Sequence, residues 1–337
     1  MDALTATDET VRDAPLATIE RSPRRVFEQP ARVDRVFNRL MLAAGIVVLV
    51  LLTLVGLFLL LRSKEALSES GIWNFLTREG WRTDVHPPAI GVLGLLTGTV
   101  LVAIVAVTLA VPFSVMAALF ITEYSTARTR QYLTAVVDLM AAIPSLLFGI
   151  WGFLYLSDQV VPLSSWLTRH LGWIPIFATD PGARLTGSIF IAGIVVALMV
   201  MPIITSVVRE VFSQTPAGEK EAALALGSTR WGMIRTVVLP YGKGGIVGGS
   251  MLGLGRALGE TIAVALLLPQ VPTVSAKILQ NGGGTIAGFI AQRAGGDAFT
   301  VSGLMAAGLV LFVVTLGTNM IASVVVSRSR SGAGVDL

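Results

Sequence analysis

The sequence contains no cysteine, which excludes disulfides, thiolate metal sites and a cysteine nucleophile. Histidine is nearly absent: His86 and His170 are the only two, and no clustering of ligand-type residues suggests a metal site. Charge is scarce as well. Only 14% of the 337 residues are charged, where a soluble domain carries about 25%. No G-x-x-x-x-G-K-[ST] phosphate loop occurs, because Gly242-Lys243 is followed by Gly244 and no correctly spaced glycine precedes it. The chain is therefore expected to bind no ATP and no other cofactor. Nor is there a Ser–His–Asp set, so catalysis is not expected. Basic residues form no patch that suggests nucleic acid.

What is abundant is apolar sequence. Hydrophobic residues make up 53% of the chain and the mean hydropathy is +0.76, more than one water-soluble core can bury. A membrane span needs about 20 apolar residues to cross roughly 30 Å of hydrocarbon. Six runs qualify, near 40–61, 91–121, 133–156, 185–208, 244–268 and 301–326. Backbone polar groups in lipid must be satisfied internally, so the expectation is an all-α polytopic protein with six transmembrane helices. Pro112 is a candidate bend in the second run and Pro144 in the third. Residues 1–39 hold seven arginines, seven acids and three prolines, and read as a flexible tail. Residues 327–337 form a second tail.

Lys and Arg are distributed unevenly. Segments 1–39, 122–132, 209–243 and 327–337 hold 16 of the 25 basic residues, and the three intervening loops hold 8. That asymmetry predicts that both termini face the cytoplasm. Trp73, Trp81, Trp166 and Trp173 fall in the other loops, as interfacial anchors do. Asn281-Gly282-Gly283-Gly284 reads as a flexible connector there.

The remaining basic residue, Arg256, lies inside the fifth run, with Glu260 four positions on. On a continuous helix the two share a face. A charge near the bilayer centre costs roughly 2.5–3.5 kcal/mol, so such residues face a bundle interior or a wet cavity. Two readings are open: a structural ion pair, or groups that meet a translocated anion. Gly245, Gly249 and Gly253 recur at four-residue steps in the same helix, the spacing of close helix packing in lipid. Asp138 in the third run reads as a structural residue near its inner end or as a member of a pathway.

Segment 209–243, REVFSQTPAGEKEAALALGSTRWGMIRTVVLPYGK, is polar and lies between two spans. Thr215 is a candidate N-cap ahead of Pro216, Gly227 a candidate stop, and Ser228 a cap for a second short helix that ends before Pro240. The expectation is an elbow at 215–240, either a plain connector or a docking element. Glu221-Ala222-Ala223, then Gly227, then Leu239-Pro240, resemble the EAA signature of bacterial ABC import permeases. LGRALGETIAV at 254–264, ALFITEY at 118–124, AAIPSLLFGIWG at 141–152 and HLGWIPIF at 170–177 are similar to the PstC-type permeases of phosphate-specific importers.

That resemblance covers most of 90–326 and implies a type I importer (MetI-like) core there. It implies a multi-pass protein of the bacterial inner membrane that forms half of a phosphate pathway beside a PstA-type permease. Two PstB-type ATPase subunits would bind ATP and magnesium, and a PstS-type binding protein would deliver phosphate. Glu221, Ala222, Ala223, Gly227 and Arg230 would couple to the ATPase. Arg256, Glu260 and Thr261 would belong to the substrate pathway, with Asp138 and Pro144 either in it or structural. Another oxyanion such as sulfate or molybdate is the alternative cargo, and an ATP-independent channel or secondary transporter the alternative class.

Overall fold

The computed structural model describes residues 32–83, 85 and 88–330. His86, most of the expected N-terminal tail (1–31) and residues 331–337 lie outside the described residues. The first helix, α1 (Arg32–Arg62), begins before the apolar run, so residues 32–39 are helical rather than tail. Met1–Thr53 and Leu54–Leu337 form separate compact units. In the first unit every side chain from Val33 to Thr53 is exposed, as suits a helix solvated by lipid.

In the second unit, α2 (Lys64–Ser70) and α3 (Ile72–Thr77) precede a short antiparallel pair, β1 (Trp81–Arg82) and β2 (Ala89–Ile90). This segment is a small lobe that packs into a second core, shared with Leu95, Ile286, Phe289 and Leu304. Trp81 is only 8% exposed and meets Phe289 edge-on at 5.0 Å between ring centroids. It is a core residue rather than the expected interfacial anchor, whereas Trp73, Trp166 and Trp173 are exposed. Ser302 ties the lobe to the bundle, because its hydroxyl donates to the Arg62 carbonyl and accepts from the Ala66 N–H.

The bundle begins with α4 (Leu93–Leu119), which ends in a π turn at Phe120–Tyr124, and continues with α5 (Ala127–Ala142). Next come α6 (Ser145–Trp151), a π turn at Gly152–Leu156, α7 (Ser157–Leu171) and α8 (Ile189–Ser213). Two short helices, α9 (Ala217–Ala225) and α10 (Arg230–Met233), lead through a π turn at Ile234–Val238 into α11 (Leu239–Leu258). The chain closes with α12 (Ile262–Leu267), α13 (Ile286–Arg293) and α14 (Ala298–Arg330), so residues 327–330 extend a helix.

The core lies where α8 packs on α4 and α11. Without a hydrophobic drive between helices in lipid, close approach of backbones supplies the attraction, and small residues permit it. Ala103, Ala106 and Ala110 of α4 are buried against α8. On α11 the four-residue glycine stripe does what its spacing predicts. A Cβ on Gly245 would lie 2.6 Å from Val211, and one on Gly253 would lie 2.6 Å from Ile204. The Ser114 hydroxyl adds a bond to the Met201 carbonyl, 3.0 Å away on α8.

Among the described residues five helices are long and apolar enough to cross a membrane: Val33–Arg62, Leu93–Tyr124, Ser145–Leu171, Ile189–Ser213 and Ala298–Val324. Four of these match expected runs, and the third and fifth expectations change. The third run, 133–156, is broken outright at Ile143 (ψ 127°) and Pro144 (ψ 139°). The proline ring clashes with a helical residue before it, so Ile143 turns extended and a new helix starts at Ser145. The fifth run, 244–268, is interrupted between Leu258 and Ile262. There Gly259 ends α11, and the Glu260 carboxylate accepts the Ala263 N–H at 3.4 Å as α12 begins.

A candidate translocation cleft and a coupling elbow

The two breaks face the same opening. A cleft of about 450 Å³ is lined by Ser145, Gly255, Arg256, Gly259, Glu260, Thr261 and Ile262. Beyond it, α6 and α12 pack together, and Gly149 is the reason they can. A Cβ at that position would lie 2.8 Å from the Cα of Ala263. Gly152, about a turn further along, likewise permits close approach: a Cβ there would lie 2.7 Å from Val195. Two interrupted helices thus meet along their second halves and leave irregular backbone beside the cleft. Such backbone is tolerated at membrane depth where it is buried in protein or lines a cavity.

Arg256, Glu260 and Thr261 are gathered at this cleft, but not as a continuous helix would arrange them. Arg256 lies in the last turn of α11 and is exposed to the opening. Glu260 lies past the break and is 9% exposed. Among the described residues there are two ion pairs, Lys220–Glu123 and Lys277–Asp180, and neither includes Arg256 or Glu260. The Arg256 guanidinium makes no hydrogen bond among the described residues, whereas the Glu260 carboxylate is held by the Ala263 amide. The intrahelical pair, one of the two open readings, is therefore not formed, because the chain leaves its helical path between the two residues. The Thr261 hydroxyl donates to the Gly259 carbonyl at 3.1 Å, which uses one of the acceptors the break releases.

Pro144 immediately precedes Ser145 at the cleft. Asp138 is exposed on α5, five residues before the break at Ile143, and is not among the cleft-lining residues. The same helix has no buried residue, and it exposes Tyr132, Val136 and Leu139.

One residue that sequence reasoning missed is Gln270. It is 4% exposed and sits at φ +53°, the left-handed region a side chain seldom adopts. Its amide nitrogen donates to the Val264 carbonyl at 3.1 Å, and its oxygen accepts the Thr285 N–H at 2.9 Å. It thereby fastens α12 to the start of α13. Beside it the glycine run is packed rather than loose. Gly283 and Gly284 are buried, and a Cβ on Gly98 would lie 2.0 Å from the Gly284 carbonyl oxygen.

At the opposite end, the elbow forms with its caps shifted by one residue. Pro216 rather than Thr215 is the N-cap of α9, and Thr229 rather than Ser228 caps α10, its hydroxyl accepting the Gly232 N–H at 3.1 Å. Gly227 stops α9 at φ +84°. The Ser228 N–H reaches the Ala223 carbonyl and the Gly227 N–H the Leu224 carbonyl, the paired bonds of a Schellman stop. Pro240 does not end the second arm. It has no N–H to give the Thr236 carbonyl, and the wide turn at Ile234–Val238 absorbs that loss, so α10 runs on into α11. Glu221, Ala222 and Arg230 are exposed, Ala223 is half-buried, and Leu226 is 89% exposed.

Residues 110–331, which hold both the cleft and the elbow, match the family described as "Binding-protein-dependent transport system inner membrane component". Phosphate transport system permease protein PstC 2 of Mycobacterium tuberculosis is 40% identical over 309 residues, spanning 90% of this chain and 95% of its own. The PstC permease of Xylella fastidiosa strain Temecula1 is 38% identical over 304 residues, spanning 88% and 92%. The chain belongs to the PstC permease family. As such it is the permease component of a binding-protein-dependent ABC importer, in the inner membrane, with the all-α MetI-like fold. Among solved structures, a bacterial ABC transporter involved in import of the polysaccharide alginate shares that fold at a TM-score of 0.50 and 18% identity. It covers 70% of this PstC-family chain and 79% of its own.

Proposed function

We propose that the chain is the PstC-type half of an importer for inorganic phosphate. The observation that carries this reading is the Arg256–Glu260 arrangement: a guanidinium without an ion-pair partner among the described residues, beside a fixed carboxylate, in one cleft. A guanidinium offers a planar fork of donors that suits an oxyanion, and such charge-assisted bonds are the strong ones. The carboxylate adds selectivity. Phosphate near neutral pH still carries a proton that Glu260 can accept, whereas sulfate carries none and meets only repulsion. The names of the relatives support the same cargo.

On this reading the elbow end faces the cytoplasm with both chain termini, in keeping with the excess of Lys and Arg there. Glu221, Ala222, Ala223, Gly227 and Arg230 engage a PstB-type ATPase, which holds ATP and magnesium in this chain's stead. The exposed apolar side chains of α5 suit a PstA-type permease, with Asp138 and Pro144 beside the shared pathway. A PstS-type protein delivers phosphate to the other side. Phosphate uptake by the reconstituted complex in liposomes, with sulfate and molybdate as competitors, tests the proposal. ATP-dependent uptake that resists both competitors is expected. Equal competition by sulfate or molybdate would reassign the cargo, and uptake by the lone chain without ATP would reject the class.

A further inference from the structure

The ITEY segment at the end of α4 has no role in the cleft, yet three separate elements hold it. Its π turn closes with the Ser125 N–H on the Phe120 carbonyl at 3.0 Å. A turn that wide, at a helix C-terminus, leaves carbonyls without helical donors. Arg130 of α5 supplies them, with Nε 3.1 Å from the Ile121 oxygen and Nη2 2.6 Å from the Thr122 oxygen. The elbow holds the next two residues. Lys220 of α9 places Nζ 2.6 Å from Oε1 of Glu123, whose side chain is only 7% exposed. Arg230 of α10 lies over the Tyr124 ring, 5.3 Å from its centroid. Both arms of the elbow, on either side of the Gly227 stop, thus grip adjacent residues of one turn.

We propose that this turn is the elbow's receiver within the chain: Glu123–Lys220, seconded by Tyr124–Arg230, makes α4 move with the elbow when the ATPase closes. The inference rests on the importer reading above and adds to it a named mechanical link. The covalent route from α9 to α8 runs through Gln214–Pro216, a non-helical connection that can flex. The clasp instead joins a partly buried ion pair to α4, which runs the length of the bundle. At its far end α4 abuts the loop around Gln270 and Gly284, which fastens α12 above the cleft. The carboxylate is the more buried partner, so loss of Lys220 leaves a largely desolvated charge unmatched.

The test uses the complete complex in liposomes, with phosphate uptake and ATP hydrolysis measured together. Glu123→Lys and Lys220→Glu are each expected to keep the ATPase bound while uptake per ATP falls about tenfold, and the double reversal to recover most of it. Singles at the wild-type ratio, or a double reversal no better than either single, would overturn the clasp. The absence of native cysteine permits a second measurement that does not depend on the charges. In a Glu123→Cys/Lys220→Cys chain, a short bis-methanethiosulfonate cross-linker, which forms a disulfide with each thiol and releases sulfinate, is expected to raise uptake, and reductant to reverse the gain. Arrest on bridging would mean that the elbow slides past α4, and would reject the proposal. If the wild-type chain carries no ATPase, the importer reading falls and the clasp with it. If wild-type uptake is coupled but the variants change nothing, the clasp alone falls.

Discussion

Gly149 on α6 and Ala263 on α12 touch so closely that a Cβ on the glycine would lie 2.8 Å from the Ala263 Cα. This contact joins the second halves of two broken helices just beyond the cleft. Gly149→Ala is expected to cost about 1–3 kcal/mol, the range for forcing a methyl group into a packed site. Thermal unfolding of the purified protein should show the loss. Gly317→Ala is the control: nothing lies within 4 Å of a Cβ there, and it sits within α14. That change should be neutral or stabilising. Equal behaviour of the two variants would remove Gly149 from its assigned role.

Arg256 and Glu260 should separate by phenotype. Arg256→Ala removes the anion's donors, and phosphate uptake should drop by roughly 10- to 150-fold, as loss of a charge-assisted bond of about 1.5–3 kcal/mol implies. Arg256→Lys keeps the charge without the fork and should retain an intermediate rate. Glu260→Gln should lower phosphate uptake and raise the ratio of sulfate to phosphate transport, because the repulsion of a fully ionised anion is gone. An unchanged ratio would detach Glu260 from selectivity.

Gly227 stops α9 at φ +84°, a conformation that costs a side chain roughly 1–2 kcal/mol. Gly227→Ala should therefore let α9 overrun and disturb the elbow, with reduced recovery of the ATPase on co-purification. Gly227→Asn should be milder, since Asn enters the left-handed region more readily. The chain's own thermal stability should fall by no more than that backbone strain, because nothing lies within 4 Å of a Cβ at Gly227 to add a clash.

A pH dependence belongs to the loops at the end opposite the elbow. There Lys277 donates to the Asp180 carboxylate, Gln280 donates as well, and together they hold Asp180 below its ordinary value of 3.8. A depressed carboxylate contributes stability that is fully present above the ordinary value and is lost as pH falls through the lower folded one. Protection of amides near 178–184 and 277–282 in hydrogen exchange should thus be level from pH 5 to pH 8 and decline only below about pH 4. In Asp180→Asn that acid-dependent step should vanish.

Much of the site was legible because its signals are local. The helix stop at Gly227, the caps within one residue of their expected places, the glycine stripe on α11 and a departure from straight helix at Pro144 all follow from rules that act over a few residues. Trp81 was misread because its burial comes from Phe289, over 200 positions away. Gln270 carried no signal, since its hydrogen bonds go to Val264 and Thr285 in other segments.

By itself the sequence determined the membrane class, the polar elbow, the lack of a G-x-x-x-x-G-K-[ST] phosphate loop and the presence of opposite charges in an apolar run. Those are matters of hydropathy, turn chemistry and motif spacing. Only the tertiary structure decided that Arg256 and Glu260 leave the shared helical face and line one cleft with Ser145, and that Glu123 meets Lys220. The reason is physical. Where a helix breaks, four-residue spacing no longer sets direction, and contacts such as Gly149 with Ala263 arise between segments whose own periodicity does not specify a partner.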